Sequence, residues 1–287
     1  KKKCVLLFFM FFLCYIGFEI KPMAAIVMIA VAAVEGIHFI GKLLKKQIVW
    51  KKSVLACCLS AVLGIGAAAG GVSAVVDSLH FPVVTDTVLG WQHHMMLGLN
   101  KDTNGGYSQA DFDYSTSFSS AEEQHAAELK EIGKRLKDFG VGGYLQHFVK
   151  KSARNYFDGC FGWGGLGETF YTEIFPERGT VLCSLIRSLY YDNTEDTLYR
   201  YPALFRQILW YMVLVLVPFS VFTKRPLDKK RQVAVLSVLG LMLYLQIFEA
   251  HARYLYTFVP IFVFLATEGI DNLREYLNQK SERRIKK

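Results

Sequence analysis

The chain has 287 residues, of which 52% are hydrophobic and 20% are charged, and its net charge is +8. Six apolar stretches alternate with short segments rich in Lys and Arg. A soluble domain would have to bury all six stretches in one core. Residues 53–76 carry no charge and are longer than an ordinary buried helix. Composition therefore argues against the soluble classes of protein and indicates an integral membrane protein.

The apolar stretches predict six membrane-spanning helices. The hydrocarbon core requires about 20 mostly apolar residues for a helical crossing, and Trp and Tyr side chains extend shorter stretches into the interface. The predicted spans are residues 4–20, 23–41, 53–76, 208–222, 233–248 and 253–269. In the third span, Gly66 and Gly70 form a GxxxG pattern that predicts close helix packing. We expect an all-α polytopic membrane protein.

The basic residues predict which connections face the cytoplasm. Lys and Arg accumulate in short cytoplasmic loops, and every second connection here is basic. These basic segments are residues 1–3, 42–52, 224–231 and 274–287. Residues 78–206 contain 16 acidic and 12 basic residues, so the positive net charge comes from the short segments and does not indicate a nucleic-acid partner.

This orientation predicts the domain organisation. We expect three spans in residues 1–77 and one large extracytoplasmic domain in residues 78–206. Three further spans in residues 207–270 and a basic cytoplasmic tail in residues 271–287 complete the chain, so both ends lie in the cytoplasm. Because the first residue is Lys and not Met, we also expect a fragment of a longer membrane protein.

The large segment is predicted to contain helices and loops. Residues 86–114 are rich in Gly, Asn and Asp, a composition typical of loops. Residues 180–191 are apolar but too short to span, which suits the membrane interface. Cys160 and Cys183 both lie in this segment, and one disulfide between them is compatible with the sequence.

A capping box predicts the main helix of this segment. The side chain of Ser120 can accept a hydrogen bond from the first turn while Glu123 reaches back to the cap, so we expect a helix from there to Phe139. Gly140 suits a C-terminal stop, and a second helix is expected over residues 143–157. A stripe at helical spacing predicts the packing face. It consists of Leu129, Ile132 and Leu136.

Acidic residues and histidines cluster in the Gly-rich loop. A loop carboxylate beside a histidine can act as general base or metal ligand, and Asp111 and Asp113 are the candidate catalytic residues. Asp and Asn also favour turns, so the simpler interpretation is a solvated, turn-rich loop. No zinc-type motif is present, and the sequence specifies no cofactor while leaving a divalent cation open. The candidates for substrate binding are His93, His94, Asp102, Asn104, Tyr107 and Trp163.

A second polar cluster lies where the fifth span ends and the sixth begins. It consists of Glu249, His251, Arg253 and Tyr254. Ionisable groups at a membrane border commonly serve a substrate path or pair across helices. The four-residue spacing of Glu249 and Arg253 also allows a local ion pair that anchors the turn. Since Arg suits bidentate contacts with phosphate, binding of a lipid phosphate and structural pairing both remain open.

Several short motifs together resemble the C-terminal part of a bacterial GT-C-type membrane glycosyltransferase, similar to glycosyltransferase family 39. They are Gly-Leu-Asn at residues 98–100, Gly-Gly-Tyr at 105–107, Tyr-Phe-Asp-Gly with Gly-Trp-Gly within 156–164, and Glu-Ala-His-Ala-Arg-Tyr at 249–254. The resemblance covers most of the chain. It implies a polyprenyl-phosphate sugar as donor, a glycan or protein as acceptor, and transfer on the outer face of the bacterial cell membrane.

The resemblance also implies roles for particular residues. Arg253 would bind the donor phosphate, Glu249 would orient it, and Asp111 or Asp113 would contact sugar or acceptor. Related sequences often carry Arg at the position of His251, so the phosphate role rests on Arg253. The acidic catalytic motif of the family lies in an N-terminal outer loop that we expect to be missing here. The competing hypothesis is a non-catalytic component of polysaccharide export or assembly whose outer domain binds a partner.

Overall fold

The computed structural model describes residues 2–45, 52–80, 89–162, 180–190, 198–222 and 226–285. Within these ranges the secondary structure is helical and contains no strand. Six helices in the same ranges are long and apolar enough to cross a membrane. They cover Lys2–Ile20, Pro22–Leu44, Leu55–Leu79, Arg200–Ser220, Lys229–Ile247 and Ala252–Ser281. The predicted all-α polytopic fold is confirmed.

The helices in chain order are α1 (Lys2–Ile20), α2 (Ala25–Leu44), α3 (Lys52–Leu79), α4 (Trp91–Gly98), α5 (Gln109–Thr116), α6 (Ala121–Tyr156), α7 (Val181–Tyr190), α8 (Arg200–Leu216), α9 (Lys229–Ile247) and α10 (Val259–Ile285). Short 3₁₀ segments occupy Pro22–Ala24, Val217–Ser220 and Ala252–Phe258. The chain divides into two compact units. The first comprises Lys1–Thr85 and Leu227–Tyr244, and the second comprises Asp86–Pro226 and Leu245–Lys287.

In the first unit, α1 packs along α3 at a glycine. A Cβ atom on Gly64 would collide with the backbone carbonyl of Phe8, so only glycine permits this approach. Gly66 and Gly70 have open space around them. The predicted packing at these two glycines is therefore wrong within the described residues, because Gly66 and Gly70 share a face of α3 opposite to the face on which Gly64 meets α1.

The first unit also contains an ion pair between α2 and α9. Lys229 Nζ lies 2.6 Å from Glu35 Oε1, and both side chains are exposed. The contact is reinforced by close packing, since a Cβ atom on Gly240 would come within 2.7 Å of Ile26 Cγ2. Because exposed ion pairs contribute little to stability, this pair adds little to the association of the two helices.

In the second unit, residues 86–114 are not the continuous loop that we expected. They contain α4 and the start of α5, and Ser108 caps α5 by accepting a hydrogen bond from Asp111 N. The prediction was wrong because each helix is only eight residues long, so hydrophobic periodicity carried little signal. Met96 and Leu97 of α4 are nevertheless fully buried.

Helix α6 agrees with the sequence at its start and at its break. Ser120 Oγ accepts a hydrogen bond from Glu123 N at 3.3 Å, and Gly140 adopts φ 56° and ψ −178°, which separates two helical segments. That backbone conformation is essentially restricted to glycine. The predicted Ser120 cap, the stop and the second helix are confirmed, whereas among the described residues Glu123 forms no return hydrogen bond to the cap.

The face by which α6 packs differs from the predicted stripe. Ile132 is buried against Met96 and Leu99, whereas Leu129 and Leu136 are 47% and 42% exposed. The stripe was wrong at those two positions because polar side chains occupy most of the buried face. These buried polar residues of α6 are Gln124, Glu128, His147, Lys151 and Asn155.

The final helix packs against the end of α8. A Cβ atom on Gly269 would collide with the Leu216 carbonyl, and Asn272 Nδ2 donates hydrogen bonds to the carbonyls of Phe219 (2.9 Å) and Ser220 (3.1 Å). These donations satisfy carbonyl groups that a helix end leaves without an intrahelical partner. The contact fixes one end of α8 against α10.

Helix α7 exposes a largely apolar surface. Its exposed side chains include Val181, Leu182, Leu185 and Ile186, which is compatible with the predicted interfacial position, and that position stays a prediction. Cys160 and Cys183 are both free thiols. The structure therefore does not form the disulfide that the sequence allowed.

Candidate functional site

Asp111 lies in a buried ion pair. Arg135 Nη2 and Nη1 donate to Asp111 Oδ1 and Oδ2 at 2.7 and 2.9 Å, and Asn100 Nδ2 donates to Oδ2 at 2.8 Å. Arg135 Nη1 also donates to the Met96 carbonyl at 2.8 Å. Burial alone would raise the pKa of Asp111, but the hydrogen bonds from Arg135 and Asn100 lower it below its ordinary value. Asp111 thus joins α4, α5 and α6 as a charged partner of Arg135.

His93 belongs to the same packed region. Its Nδ1 atom lies 2.7 Å from Ser115 Oγ and 3.9 Å from Glu128 Oε1, and Gln124 Nε2 donates to Glu128 Oε1 at 2.9 Å. Burial, followed by the neighbouring His94, lowers the pKa of His93, which favours the neutral ring. His93 and Asp111 contribute to packing in this structure, and their proposed catalytic and binding roles stay predictions.

The other candidates of this region lie at the surface. Asp113 is exposed and accepts a hydrogen bond from Gln109 Nε2 at 2.8 Å, while the Tyr107 hydroxyl donates to Gln109 Oε1 at 2.7 Å. Asp102 is exposed, and Asn104 has a left-handed backbone with φ 49°. These residues lie on the turn between α4 and α5 and at the start of α5, where solvent reaches them.

The second predicted cluster is built around Glu249, whose side chain is almost fully buried. The Tyr254 hydroxyl donates to Glu249 Oε2 at 2.7 Å, and His94 Nδ1 lies 3.7 Å from the same oxygen. Burial would raise the pKa of Glu249, but the neighbouring His94 ring and the Tyr254 hydroxyl lower it. Glu249 is therefore an ionised carboxylate, and it brings His94 of α4 next to the turn before α10.

Arg253 presents its positive charge at the surface of the protein. The guanidinium is exposed and lies 5.3 Å from the centre of the Tyr254 ring. Among the described residues it forms no ion pair within 4 Å, so the structural alternative of a direct pair with Glu249 is not realised. The neighbouring Tyr254 side chain orients the guanidinium, which also hydrogen-bonds with Tyr254, and its exposed donors can still reach an anion.

His251 starts the 3₁₀ segment that contains Arg253. Its Nδ1 atom accepts a hydrogen bond from Arg253 N at 3.2 Å, and burial, followed by the charge of Arg253, lowers the pKa of His251. The ring packs against Gly162, where a Cβ atom would approach His251 Cε1 to 2.6 Å. Trp163, which we predicted to bind substrate, lies outside the described residues.

Lys151 is the residue that sequence reasoning missed most clearly. It is fully buried on α6, and its Nζ atom donates to the carbonyls of Gly98 (2.8 Å) and Gln246 (2.9 Å). Burial lowers the pKa of Lys151 to about 7, against a smaller opposing effect of Glu249. No local pattern could reveal this role, because a lysine on an amphipathic helix ordinarily faces water.

Backbone contacts tie the turn between α4 and α5 to the Glu249 turn. Ala250 N donates to the Gly105 carbonyl at 2.6 Å, and Arg154 Nε donates to the Ala250 carbonyl at 3.4 Å. The guanidinium of Arg154 covers Gly106, where a Cβ atom would collide with it. Glycine is required at position 105, where φ is 80° and a Cβ atom would lie 2.9 Å from the Gly98 carbonyl, a role that the turn-like composition did not reveal.

One face of α6 lines this junction with polar groups. His147 Nε2 lies 3.0 Å from the Gly98 carbonyl, and His147, Lys151 and Asn155 share a face because they are four residues apart. Asn155 is fully buried, and both atoms of its side-chain amide lack a hydrogen-bond partner in the described part of the protein. A buried polar group without a partner is unusual and often indicates a missing ligand or water.

His94 is the residue of the first predicted cluster that the structure brings to the second, and the resulting site lies inside the second unit. We call it the boundary cluster and define it by Glu249, His94, His251, Arg253, Tyr254 and Arg154. It lies between the two candidate spans Lys229–Ile247 and Ala252–Ser281. Glu249 supplies a carboxylate to this cluster, and Arg253 and Arg154 supply two guanidinium groups. The Asp158 carboxylate accepts hydrogen bonds from Cys160 N (2.7 Å) and Gly162 N (2.5 Å). Such an arrangement can bind an anion beside a proton acceptor.

Comparison with known proteins identifies a family but no relative of known activity. Among the residues described, no group of three or more His, Cys, Asp or Glu side chains could hold a metal ion. A family model described as "Conserved hypothetical integral membrane protein" matches residues 1–272. Neither the curated proteins nor the solved structures contain a match to the chain.

Proposed function

We propose that this chain, which belongs to that family of integral membrane proteins, is a membrane glycosyltransferase. It moves a sugar from a polyprenyl-phosphate donor to a glycan or protein acceptor on the extracytoplasmic side of the cell membrane. The observation that carries the proposal is the boundary cluster, in which Arg253, without an ion pair among the described residues, and the ionised Glu249 lie in one turn at the ends of two spans.

Arg253 is the proposed ligand of the donor phosphate. A polyprenyl phosphate keeps its charged group at the depth where a membrane span meets the headgroup region, and Arg binds phosphate oxygens through two parallel donors. The absence of an ion pair on Arg253 in the described residues supports this role. Arg154, which approaches the same turn through Ala250, adds positive charge.

Glu249 is the proposed proton acceptor. In the transfer step, the acceptor hydroxyl oxygen attacks the anomeric carbon, and the bond between that carbon and the phosphate oxygen breaks. The phosphate leaves with the bonding electrons and is stabilised by Arg253, while the hydroxyl proton passes to a carboxylate. Glu249 is favoured over Asp111 for that proton, because both oxygens of Asp111 are already bound to Arg135.

A non-catalytic role in polysaccharide export or assembly is the second candidate. The exposed apolar side chains of α7 support it, because contiguous apolar surface commonly contacts a partner or a membrane. This hypothesis requires no free Arg at the boundary cluster, so the state of Arg253 favours the transferase.

The test is incorporation of labelled sugar by the full-length protein in membranes, using a panel of polyprenyl-phosphate sugars. Arg253→Ala should reduce transfer by about a hundredfold or more, the loss typical when an electrostatic contact to the transition state is removed. Arg274→Ala, at an exposed position further along α10, is the matched control and should retain activity. No transfer from any donor by a folded protein would favour the export hypothesis.

A further inference from the structure

A polar groove runs along α6 beside the turn that follows α4. It consists of a cleft of about 210 Å³ and an adjoining one of about 70 Å³, and both are lined by Lys101, Asp138 and Phe139. We call this surface the α6 groove. Its volume is below the roughly 300–1,000 Å³ of pockets for drug-sized ligands, so it suits one or two small rings.

The polar side chains of the α6 groove have unused hydrogen-bonding capacity. Lys101, Asp102, Asp138 and Lys150 form no side-chain hydrogen bond or ion pair with any described residue. Arg135 also lines the groove, but its guanidinium is bound by Asp111 and Glu131. Two carboxylates and two ammonium groups remain, so the free charges balance, which favours a neutral ligand rich in hydroxyl groups over an anion.

Phe139 supplies an apolar wall. It lines both clefts and contacts the rings of His147 (4.7 Å between centroids) and Tyr144 (6.2 Å). The chain breaks at Gly140 immediately after it, in a conformation that a residue with a side chain rarely adopts. An aromatic ring beside polar donors and acceptors suits a sugar, which presents C–H groups on its ring faces and hydroxyl groups at its edges.

The α6 groove borders the junction behind the boundary cluster. His147 lines the smaller cleft, and the Gly98 carbonyl that contacts His147 Nε2 also accepts from Lys151 Nζ. Asn100, which lines the larger cleft, follows Gly98 by two residues. A ligand in the groove would therefore lie against the same backbone turn that supports the Glu249 region.

We propose that the α6 groove binds a short neutral oligosaccharide, with Asp138 and Lys101 contacting its hydroxyl groups and Phe139 contacting a ring face. This oligosaccharide is the acceptor glycan, an assignment that rests on the proposed function. The proposal that the groove binds a neutral oligosaccharide does not depend on the transferase activity.

The experiment measures binding of disaccharides of neutral hexoses and N-acetylhexosamines to the full chain in lipid nanodiscs, without any donor. Titration calorimetry and ligand-observed NMR serve as readouts. At least one neutral saccharide should bind, and Asp138→Asn with Lys101→Gln should weaken it about tenfold or more, as expected for lost hydrogen bonds to charged groups. Glu122→Gln with Lys137→Gln, both exposed on α6 outside the groove, should change affinity less than about twofold.

Three results would overturn the proposal: no neutral saccharide binds, binding is unaffected by the groove variant, or only inorganic phosphate and sugar phosphates bind. Arg253→Ala separates this proposal from the transferase. If that variant binds saccharide normally while even the wild-type protein transfers no sugar, the groove is a glycan site and the transferase proposal fails. If transfer is observed but the groove variant transfers and binds like wild type, the groove proposal alone fails.

Discussion

The Asp111–Arg135 region and the boundary cluster both place a carboxylate near an arginine, yet they differ in how completely the charges are paired. In the first region, two short hydrogen bonds join the pair, and Asn100 and the Met96 carbonyl occupy remaining positions. In the second, Glu249 is bound by Tyr254 while Arg253 lacks a carboxylate partner among the described residues. Complete pairing indicates a structural role for Asp111, whereas the incomplete pairing of Arg253 is the basis of the proposed phosphate site.

The largest expected effect comes from breaking the complete pair. Arg135→Ala leaves the buried Asp111 charge without its main partner and should destabilise the protein by about 3–5 kcal/mol. Thermal unfolding in detergent, followed by helical circular dichroism, measures the loss. Asp113→Asn, at an exposed carboxylate on the same helix as Asp111, is the control and should change stability by less than about 0.5 kcal/mol. Equal losses in both variants would contradict the structural role of the pair.

The second prediction concerns the incomplete pair. Glu249→Gln keeps the size of the side chain and the acceptor for the Tyr254 hydroxyl, but it removes the proton acceptor. Sugar transfer should fall by about a hundredfold, within the range for loss of a general base. The melting temperature should change much less than in Arg135→Ala. Unfolding of Glu249→Gln at the same temperature as Arg135→Ala would remove the distinction between the two regions.

The third prediction tests the backbone junction that joins the two regions. A Cβ atom on Gly98 would lie 2.7 Å from the carbonyls of Ile247 and Phe248 and 2.8 Å from Lys151 Nζ, so Gly98→Ala should destabilise the protein by about 1–3 kcal/mol through overpacking. Gly133→Ala, in α6 with open space around it, should instead stabilise by about 0.5–1 kcal/mol. In thermal unfolding we therefore expect Gly98→Ala to lower the melting temperature and Gly133→Ala to raise it.

The smallest effect is a pH dependence that Lys151 introduces. Its pKa is about 7 in the folded protein against an ordinary value of 10.5. Between pH 7 and pH 10.5 the lysine is protonated in the unfolded chain but mostly neutral in the folded protein. The free energy of unfolding therefore increases as the pH is raised from 7 towards 10.5. From pH 7 to 8 the gain is about 1 kcal/mol. Lys151→Met should remove this rise in the melting temperature, whereas Lys150→Met, at an exposed position, should preserve it.

The spans were predictable because their signal is local. An apolar run of about 20 residues identifies a crossing without knowledge of its partners, and Ser120 with Gly140 marked the ends of a helix through their own backbone requirements. The start of α5 carried a similar signal, since Ser108 stands three residues before Asp111 as a cap does. The prediction of a loop rested on the glycine-rich composition before it and did not use that signal.

The site was predictable only in its residue types. The sequence placed Glu249 and Arg253 in one turn, but His94 precedes Glu249 by 155 residues, and nothing local indicated that the two meet. Lys151 and Arg135 were unremarkable lysine and arginine residues of an amphipathic helix until packing buried them. Contacts between distant segments depend on the tertiary fold, which hydrophobic periodicity does not encode.

The position of Lys151 has a consequence for biosynthesis. Its ammonium group needs the Gln246 carbonyl, which lies 95 residues later in the chain, so the ribosome has already released the whole of α6 before that acceptor exists. During this interval Lys151 must remain hydrated or bind another group, because burying it without partners is costly. Final assembly of the second unit therefore waits for synthesis of α9 and the turn after it, and a nascent chain stopped before residue 245 would retain an incompletely packed α6.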